Sequence, residues 1–128
     1  MIMKIKTPDG FSLDAEINLI PGSHKGVIFC HGITVDKVNE PVFPVAVKQL
    51  NNAGISTVSF DMRCHGKSSG NSIKDFCASG ALTDLKTIYE FVRLKINNLG
   101  LVGASFGGSI GSIFAGGQMA IISKRSAL

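Results

Sequence analysis

The sequence Gly-Ala-Ser-Phe-Gly at residues 103–107 constrains the fold of this chain more than any other stretch. The apolar run 99–102 before it predicts a buried strand, and residues 109–115 after it can continue as a helix. A G-x-S-x-G sequence between a strand and a helix predicts a sharp turn that strains the serine backbone and pushes its hydroxyl out of the fold. Ser105 is therefore the candidate nucleophile. The N–H of Phe106, at the start of the helix, is a candidate donor to an oxyanion.

Three other structures compete for this glycine-rich stretch. A phosphate-binding P-loop requires lysine where Ser109 stands, and a dinucleotide-binding fingerprint requires glycine where Ser105 stands. The third alternative is a membrane-spanning helix, because residues 97–123 contain no charged side chain. Glycine, asparagine, glutamine and serine dilute that stretch, so its composition disfavours a span but leaves it open as an alternative.

Length and composition limit the class of protein. The chain has 128 residues, enough for one domain with a core but few for an α/β enzyme of many strands. Hydrophobic residues make up 45% of it, which excludes a disordered chain and predicts apolar surface that seeks a partner. The net charge of +4 comes from scattered lysines without a basic run, and this argues against binding to nucleic acid.

The cysteines indicate the cellular compartment. Cys30, Cys64 and Cys77 have the spacing of neither a disulfide framework nor a zinc site, and the N-terminus lacks a signal peptide. We therefore expect a cytoplasmic protein without a metal. Cys30 and Cys77 are expected to be buried, whereas Cys64 is expected to be exposed.

Strands and helices alternate along the chain after an initial hairpin. Residues 1–20 alternate apolar and polar side chains around a Pro-Asp-Gly turn, which predicts two antiparallel strands. The apolar run 27–30 predicts a central parallel strand. Further strands are predicted at 55–60 and 99–103, and helices at 41–53 and 78–96. The alternation predicts an α/β fold with a mostly parallel sheet, in which the loops 31–34, 61–70 and 103–107 meet at the carboxyl edge.

Polar residues outside these loops are expected to be solvated. The helix predicted at 78–96 places Asp84, Glu90 and Arg93 on its outer face, away from the sheet. His24 lies in a polar loop and is expected to be exposed. None of the four is a candidate for chemistry.

Three segments together resemble the α/β-hydrolase family. They read Val-Ile-Phe-Cys-His-Gly at 27–32, Phe-Asp-Met-Arg-Cys-His-Gly-Lys-Ser-Ser-Gly at 60–70, and Gly-Ala-Ser-Phe-Gly-Gly at 103–108. They are most similar to the serine aminopeptidase-like, monoacylglycerol lipase-like and cinnamoyl esterase-like branch. The resemblance extends from residue 1 to about residue 116. It implies a partial α/β-hydrolase fold, with an antiparallel hairpin joined to a mostly parallel sheet and flanking helices.

The resemblance also assigns the site. It implies that Ser105 is acylated by a small-molecule ester, less often an amide, and that no cofactor is needed. The oxyanion hole would consist of the N–H groups of Phe106 and of Ile33, or of Thr34 one residue on. His31 and His65 would shape their loops, and each stays only a minor candidate for the catalytic base. The residues that match supporting positions of the family are His31, Gly32, Asp61, Arg63, His65, Gly66, Gly103, Gly107 and Gly108.

The sequence departs from the family in two places. Cys64 stands where the family has glycine, which implies strain if that position needs a positive φ. After Ser105 the sequence contains no Asp, Glu or His, although the family places its catalytic acid and histidine there.

We therefore expect a truncated hydrolase, inactive alone, with a domain at 1–117 and an atypical tail at 118–128. Its strand 99–103 would form an apolar edge that self-associates. The alternatives are a non-catalytic interaction protein or fragment, and a chain anchored in a membrane through its C-terminal part.

Overall fold

The computed structural model of the chain describes residues 1–118 and forms a mixed β-sheet with helices on both faces. Its elements in chain order are β1 (Ile2–Lys6), β2 (Ser12–Asn18), β3 (Lys25–Cys30), α1 (Phe43–Asn52), β4 (Ser56–Phe60), α2 (Ala78–Val92), β5 (Asn98–Gly103) and α3 (Phe106–Gln118). Each strand and helix that the sequence predicts in this part of the chain is present.

The order of the strands brings the predicted loops together. The sheet runs β1-β2-β4-β3-β5, and β2 pairs antiparallel with both β1 and β4. β3 is parallel to β4 and β5, with Cys30 beside Phe60 on one side and beside Gly103 on the other. The carboxyl ends of three parallel strands therefore meet at one edge. The predicted α/β fold, with an antiparallel hairpin joined to a parallel sheet, is confirmed.

Both faces of β3 are buried, which explains its unbroken apolar sequence. Ile28 and Cys30 belong to the larger part of the core, together with side chains of α2 and α3. Val27 and Phe29 belong to a smaller cluster with Phe43 of α1. The rings of Phe29 and Phe43 pack edge to face with centroids 5.0 Å apart. Alternate residues of the strand thus hold helices on opposite faces.

Helix α2 begins at Ala78 as predicted, but its C-terminal end and the residue before its start differ from the predictions. The helix ends at Val92, earlier than residue 96, and in the turn that follows the N–H groups of Lys95 and Ile96 both donate to the Val92 carbonyl oxygen. At its start, the thiol of Cys77 accepts a hydrogen bond from the Gly80 N–H at 3.4 Å. Cys77 is exposed, so the prediction that it is buried is wrong. Its side chain caps a helix instead of filling the core.

The possible membrane span at 97–123 divides into separate elements where the structure describes it. Residues up to 103 belong to β5, a turn follows, and α3 begins at Phe106. No helix within residues 1–118 is long and apolar enough to cross a membrane. The tail predicted at 118–128 lies outside the described residues, except for Gln118 at the end of α3. The division of the chain at residue 117 therefore stays a prediction.

Candidate active site

Ser105 lies at the turn between β5 and α3 and is exposed. Its φ of 56° lies in the left-handed region, which non-glycine residues rarely adopt, so the predicted strain is confirmed. The turn needs glycine on both sides. A Cβ on Gly103 would lie 2.5 Å from the Gly107 carbonyl oxygen, and a Cβ on Gly107 would overlap the carbonyl oxygen of Cys30. These close approaches fix the serine at the carboxyl edge of the sheet.

The loop at residues 31–40, which we call the oxyanion loop, passes beside the serine. A Cβ on Gly32 would lie 3.4 Å from the Cβ of Ser105. Among residues 1–118, no acceptor takes the N–H of Ile33, Thr34 or Phe106. Unpaired N–H groups beside a nucleophile are what the stabilisation of an oxyanion requires. This geometry is compatible with the predicted donors and leaves Ile33 and Thr34 as alternatives.

His31 is buried, and both of its ring nitrogens are occupied. Nε2 accepts the N–H of Met62 at 3.0 Å, so the proton lies on Nδ1, which donates to the Gly32 carbonyl oxygen at 2.6 Å. Burial also lowers the pKa of His31 and keeps the ring neutral. His31 is therefore unavailable as a base for Ser105.

His65 is also held by its own contacts. Nδ1 lies 2.8 Å from the Arg63 carbonyl oxygen, and Nε2 contacts the carbonyl oxygen of Ile33. No histidine nitrogen in the described part of the chain is hydrogen-bonded to Ser105. In the same residues, no cluster of three His, Cys, Asp or Glu side chains could hold a metal ion. The described residues thus combine an exposed serine with backbone N–H groups that have no acceptor, and no histidine nitrogen is bonded to that serine.

A buried lysine fixes the oxyanion loop to the sheet. The ammonium of Lys37 lies 2.6 Å from a carboxylate oxygen of Asp14 in β2 and 2.7 Å from one of Asp61 after β4. Its backbone N–H donates to the other oxygen of Asp61. Burial alone raises the pKa of Asp14, but hydrogen bonds from Lys37 and Lys4 hold it below its ordinary value. This triad of opposite charges joins three segments of the chain.

A second ion-pair network anchors the loop after β4. The guanidinium of Arg63 pairs with Asp84 of α2 at 2.8 Å and with Asp9 of the first hairpin at 2.8 Å. Asp84 is fully buried, so its predicted place on the solvated face of α2 is wrong. The carboxylate compensates a buried guanidinium and also accepts the backbone N–H of Arg63. Glu90 and Arg93 do lie on an exposed face, as predicted.

The same loop contains a strained cysteine. Cys64 has φ 69°, which confirms that the position given to glycine in the family has a positive φ here. Two residues on, Gly66 has φ 49°, and a Cβ there would overlap the Asp61 carboxylate. Cys64 is half-buried, less exposed than predicted, while Cys30 is buried as predicted. The loop after β4 therefore keeps its conformation although Cys64 is poorly suited to a positive φ.

The family model described as serine aminopeptidase, S33, matches residues 22–122. The chain belongs to this family of α/β-hydrolases. The match contains the oxyanion loop, the loop after β4 and the serine turn. No curated protein matches the sequence.

Solved structures agree with this family assignment. An esterase from Pyrococcus furiosus superimposes on 95% of this chain with a TM-score of 0.82 and 25% identity, and 46% of that protein is covered. Est1E from Butyrivibrio proteoclasticus, solved with ferulic acid bound, superimposes on 94% with a TM-score of 0.85 and 26% identity, and 49% of it is covered. The chain thus spans about half the length of these α/β-hydrolases.

Sequence reasoning missed three residues that hold the loops at this edge of the sheet. Lys37 and Glu40 hold the oxyanion loop, the latter by accepting the Gly32 N–H at 3.0 Å. Asp84 anchors the loop after β4. For Asp84 a signal was present, since its spacing from Ala81 and Ile88 places it on the buried stripe of α2. Nothing in the local pattern around Lys37 and Glu40 distinguishes them from solvated loop residues.

Proposed function

We propose that this chain carries the nucleophile half of a serine hydrolase that cleaves small-molecule carboxylic esters, less often amides. The observation that supports it is the meeting of a strained, exposed Ser105 with unpaired N–H groups of Phe106 and the oxyanion loop. Family membership and the similarity to an esterase support the same reaction class.

The proposed reaction uses the residues in defined roles. The Ser105 oxygen attacks the carbonyl carbon of the ester, and the negative oxygen that forms accepts hydrogen bonds from Phe106 and from Ile33 or Thr34. A base must take the serine proton and return it to the leaving alcohol as the carbon–oxygen bond breaks, and water then hydrolyses the acyl-enzyme. Among residues 1–118, no histidine nitrogen is hydrogen-bonded to Ser105 to serve as that base. We infer that the catalytic histidine and acid come from polypeptide outside residues 1–118.

This proposal gives a direct test of activity. We expect the isolated chain to hydrolyse p-nitrophenyl butyrate at a negligible rate, and Ser105→Ala to leave that rate unchanged. Without its base, a serine hydrolase site retains only a residual rate enhancement, on the order of 10³ to 10⁴ over water in well-studied enzymes. Robust turnover that Ser105→Ala abolishes and the neighbouring Ser109→Ala leaves intact would overturn the inferred need for an external base.

The missing half can be supplied by fusion. We expect a chimera that joins residues 1–117 to the part of the Pyrococcus furiosus esterase that this chain does not cover to show turnover that depends on Ser105. Ser109→Ala in the same chimera is the control for loss of a nearby hydroxyl. A well-folded chimera whose turnover is independent of Ser105 would contradict the proposed nucleophile.

We also propose that the chain self-associates through β5. Within residues 1–118, β5 pairs with β3 alone, so its other edge presents backbone groups that no described strand takes. The strand carries no charged side chain, and charges are what commonly protect edges from pairing. A second copy presents the same edge. This interaction is the basis of the alternative function, a non-catalytic binding module.

A further inference from the structure

Each of the two peptide groups after Gly32 has its carbonyl oxygen held by a histidine. His31 Nδ1 lies 2.6 Å from the Gly32 oxygen, and His65 Nε2 lies 2.5 Å from the Ile33 oxygen. The described chain has no cis peptide, and in a trans peptide the C=O and N–H point in opposite directions. The N–H groups of Ile33 and Thr34 therefore point away from the two rings.

The amide before them is occupied. The Gly32 N–H donates to the Glu40 carboxylate, so it is unavailable to a substrate. The next two N–H groups have no acceptor among residues 1–118. Contacts of His31, Glu40 and His65 thus leave the N–H groups of Ile33 and Thr34 without an acceptor while the Gly32 N–H is bound. His31 and Glu40 are part of that loop, whereas His65 comes from the loop after β4.

His65 is fixed by an aromatic row that reaches the serine turn. Its ring centroid lies 5.0 Å from that of His31 and 5.0 Å from that of Phe76, and Phe76 in turn lies 5.6 Å from Phe106. Phe106 supplies the other unpaired N–H beside Ser105. One row of four rings therefore connects the two sides of the proposed oxyanion hole.

We propose that His65 is a positioning residue for the oxyanion hole. In this role the ring proton lies on Nε2 and is donated to the Ile33 carbonyl oxygen. The ring, packed against Phe76, sets the position of the oxyanion loop relative to Phe106. This role rests on the proposed function but needs no proton transfer by His65, which touches neither Ser105 nor a substrate. It gives a role to a histidine that is packed between two other rings and has no hydrogen bond to Ser105.

The restraint that His65 places on the oxyanion loop can be measured in the isolated chain by 15N relaxation, which requires no catalytic activity. His65→Gln keeps an amide nitrogen near the position of Nε2, whereas His65→Phe keeps the ring packing and loses the donor. We expect order parameters for Ile33 and Thr34 of about 0.85 in the wild type and His65→Gln, and below about 0.6 in His65→Phe. Unchanged order in His65→Phe would overturn the proposal. If this variant fails to fold, as judged by circular dichroism, His65→Leu, which also lacks a hydrogen-bond donor, replaces it in the comparison.

A second measurement separates this proposal from the proposed function. Butyrate, the product of an ester substrate, should shift the amide resonances of Ile33 or Thr34 and of Phe106, with chloride as the control anion. We expect His65→Phe to weaken butyrate binding about 5- to 10-fold, and His65→Gln to restore it. Equal affinity in both variants would refute the positioning role. If butyrate shifts no resonance in any variant while the order parameters of Ile33 and Thr34 still differ between wild type and His65→Phe, the oxyanion hole is refuted. The positioning of the loop by His65 would then stand without it.

Discussion

Lys37 joins the oxyanion loop to the strand-end carboxylate of Asp61, with its ammonium nitrogen 2.7 Å from one oxygen and its own backbone N–H bound to the other. The Lys37 side chain is only 5% exposed and is shared with Asp14. Two carboxylates thus share one buried cation, and Asp14 also pairs with the exposed Lys4. The position of the loop beside Ser105 depends on the same contact.

Lys37→Met should therefore destabilise the chain strongly. Removal of the ammonium leaves the buried Asp61 carboxylate without its ion-pair partner and leaves Asp14 with the exposed Lys4 alone. Breaking such a buried pair costs about 3–5 kcal/mol. Urea unfolding followed by circular dichroism measures the change. Lys48→Met, at an exposed position of α1, is the matched control and should change stability by less than about 0.5 kcal/mol. Similar midpoints for both variants would show that the triad contributes little.

Acid should weaken the fold between about pH 4 and pH 2. Hydrogen bonds from Arg63 and Thr7 lower the pKa of Asp9 to about 2, and lysine contacts lower that of Asp14. A carboxyl with a depressed pKa in the folded state contributes stability that is complete above its unfolded pKa, near 4. The contribution is lost as the pH falls through the folded value.

Thermal midpoints across this pH range test the effect. We expect the midpoint of the wild type to fall with pH below about 4, and that of Asp9→Asn to start lower and fall less steeply. Asparagine keeps the size of the side chain but has no proton to gain. If the thermal midpoints of wild type and Asp9→Asn fall with pH along parallel curves, groups other than Asp9 cause the acid sensitivity.

The serine turn gives a paired test of backbone geometry. Gly107→Ala places a methyl group against the carbonyl oxygens of Cys30 and His31, so the chain must shift or fail to fold. Gly111→Ala, one turn later in α3, meets no atom within 4 Å. It should stabilise the helix by about 0.5–1 kcal/mol, because alanine loses less backbone entropy than glycine. Thermal unfolding compares the two, and equal midpoints would contradict the close crossing at the turn.

Local sequence predicted the elements of this protein better than its long-range ion pairs. Strand 27–30 and the serine turn follow from hydrophobic runs and from glycine spacing, which depend on neighbours in the chain. The pairing of Arg63 with Asp84 depends on how α2 packs on the sheet, and a helix-period pattern treats any carboxylate as solvated. Lys37 was missed for the same reason, because its partners lie 23 and 24 positions away in the chain.

The free edge of β5 gives the last prediction. Leu101 and Val102 are neighbours on this strand, and they pack against different clusters of the core on the two faces of the sheet. Both are partly buried, so a lysine at either position keeps its stem over the sheet while its charge opposes strand pairing. We expect sedimentation velocity to show a concentration-dependent dimer or larger species for the wild type, and less of it for Leu101→Lys or Val102→Lys. Lys48→Met, distant in sequence from the edge, should associate like the wild type. A wild-type chain that stays monomeric over a broad concentration range, with a cooperative thermal transition, would refute pairing through β5.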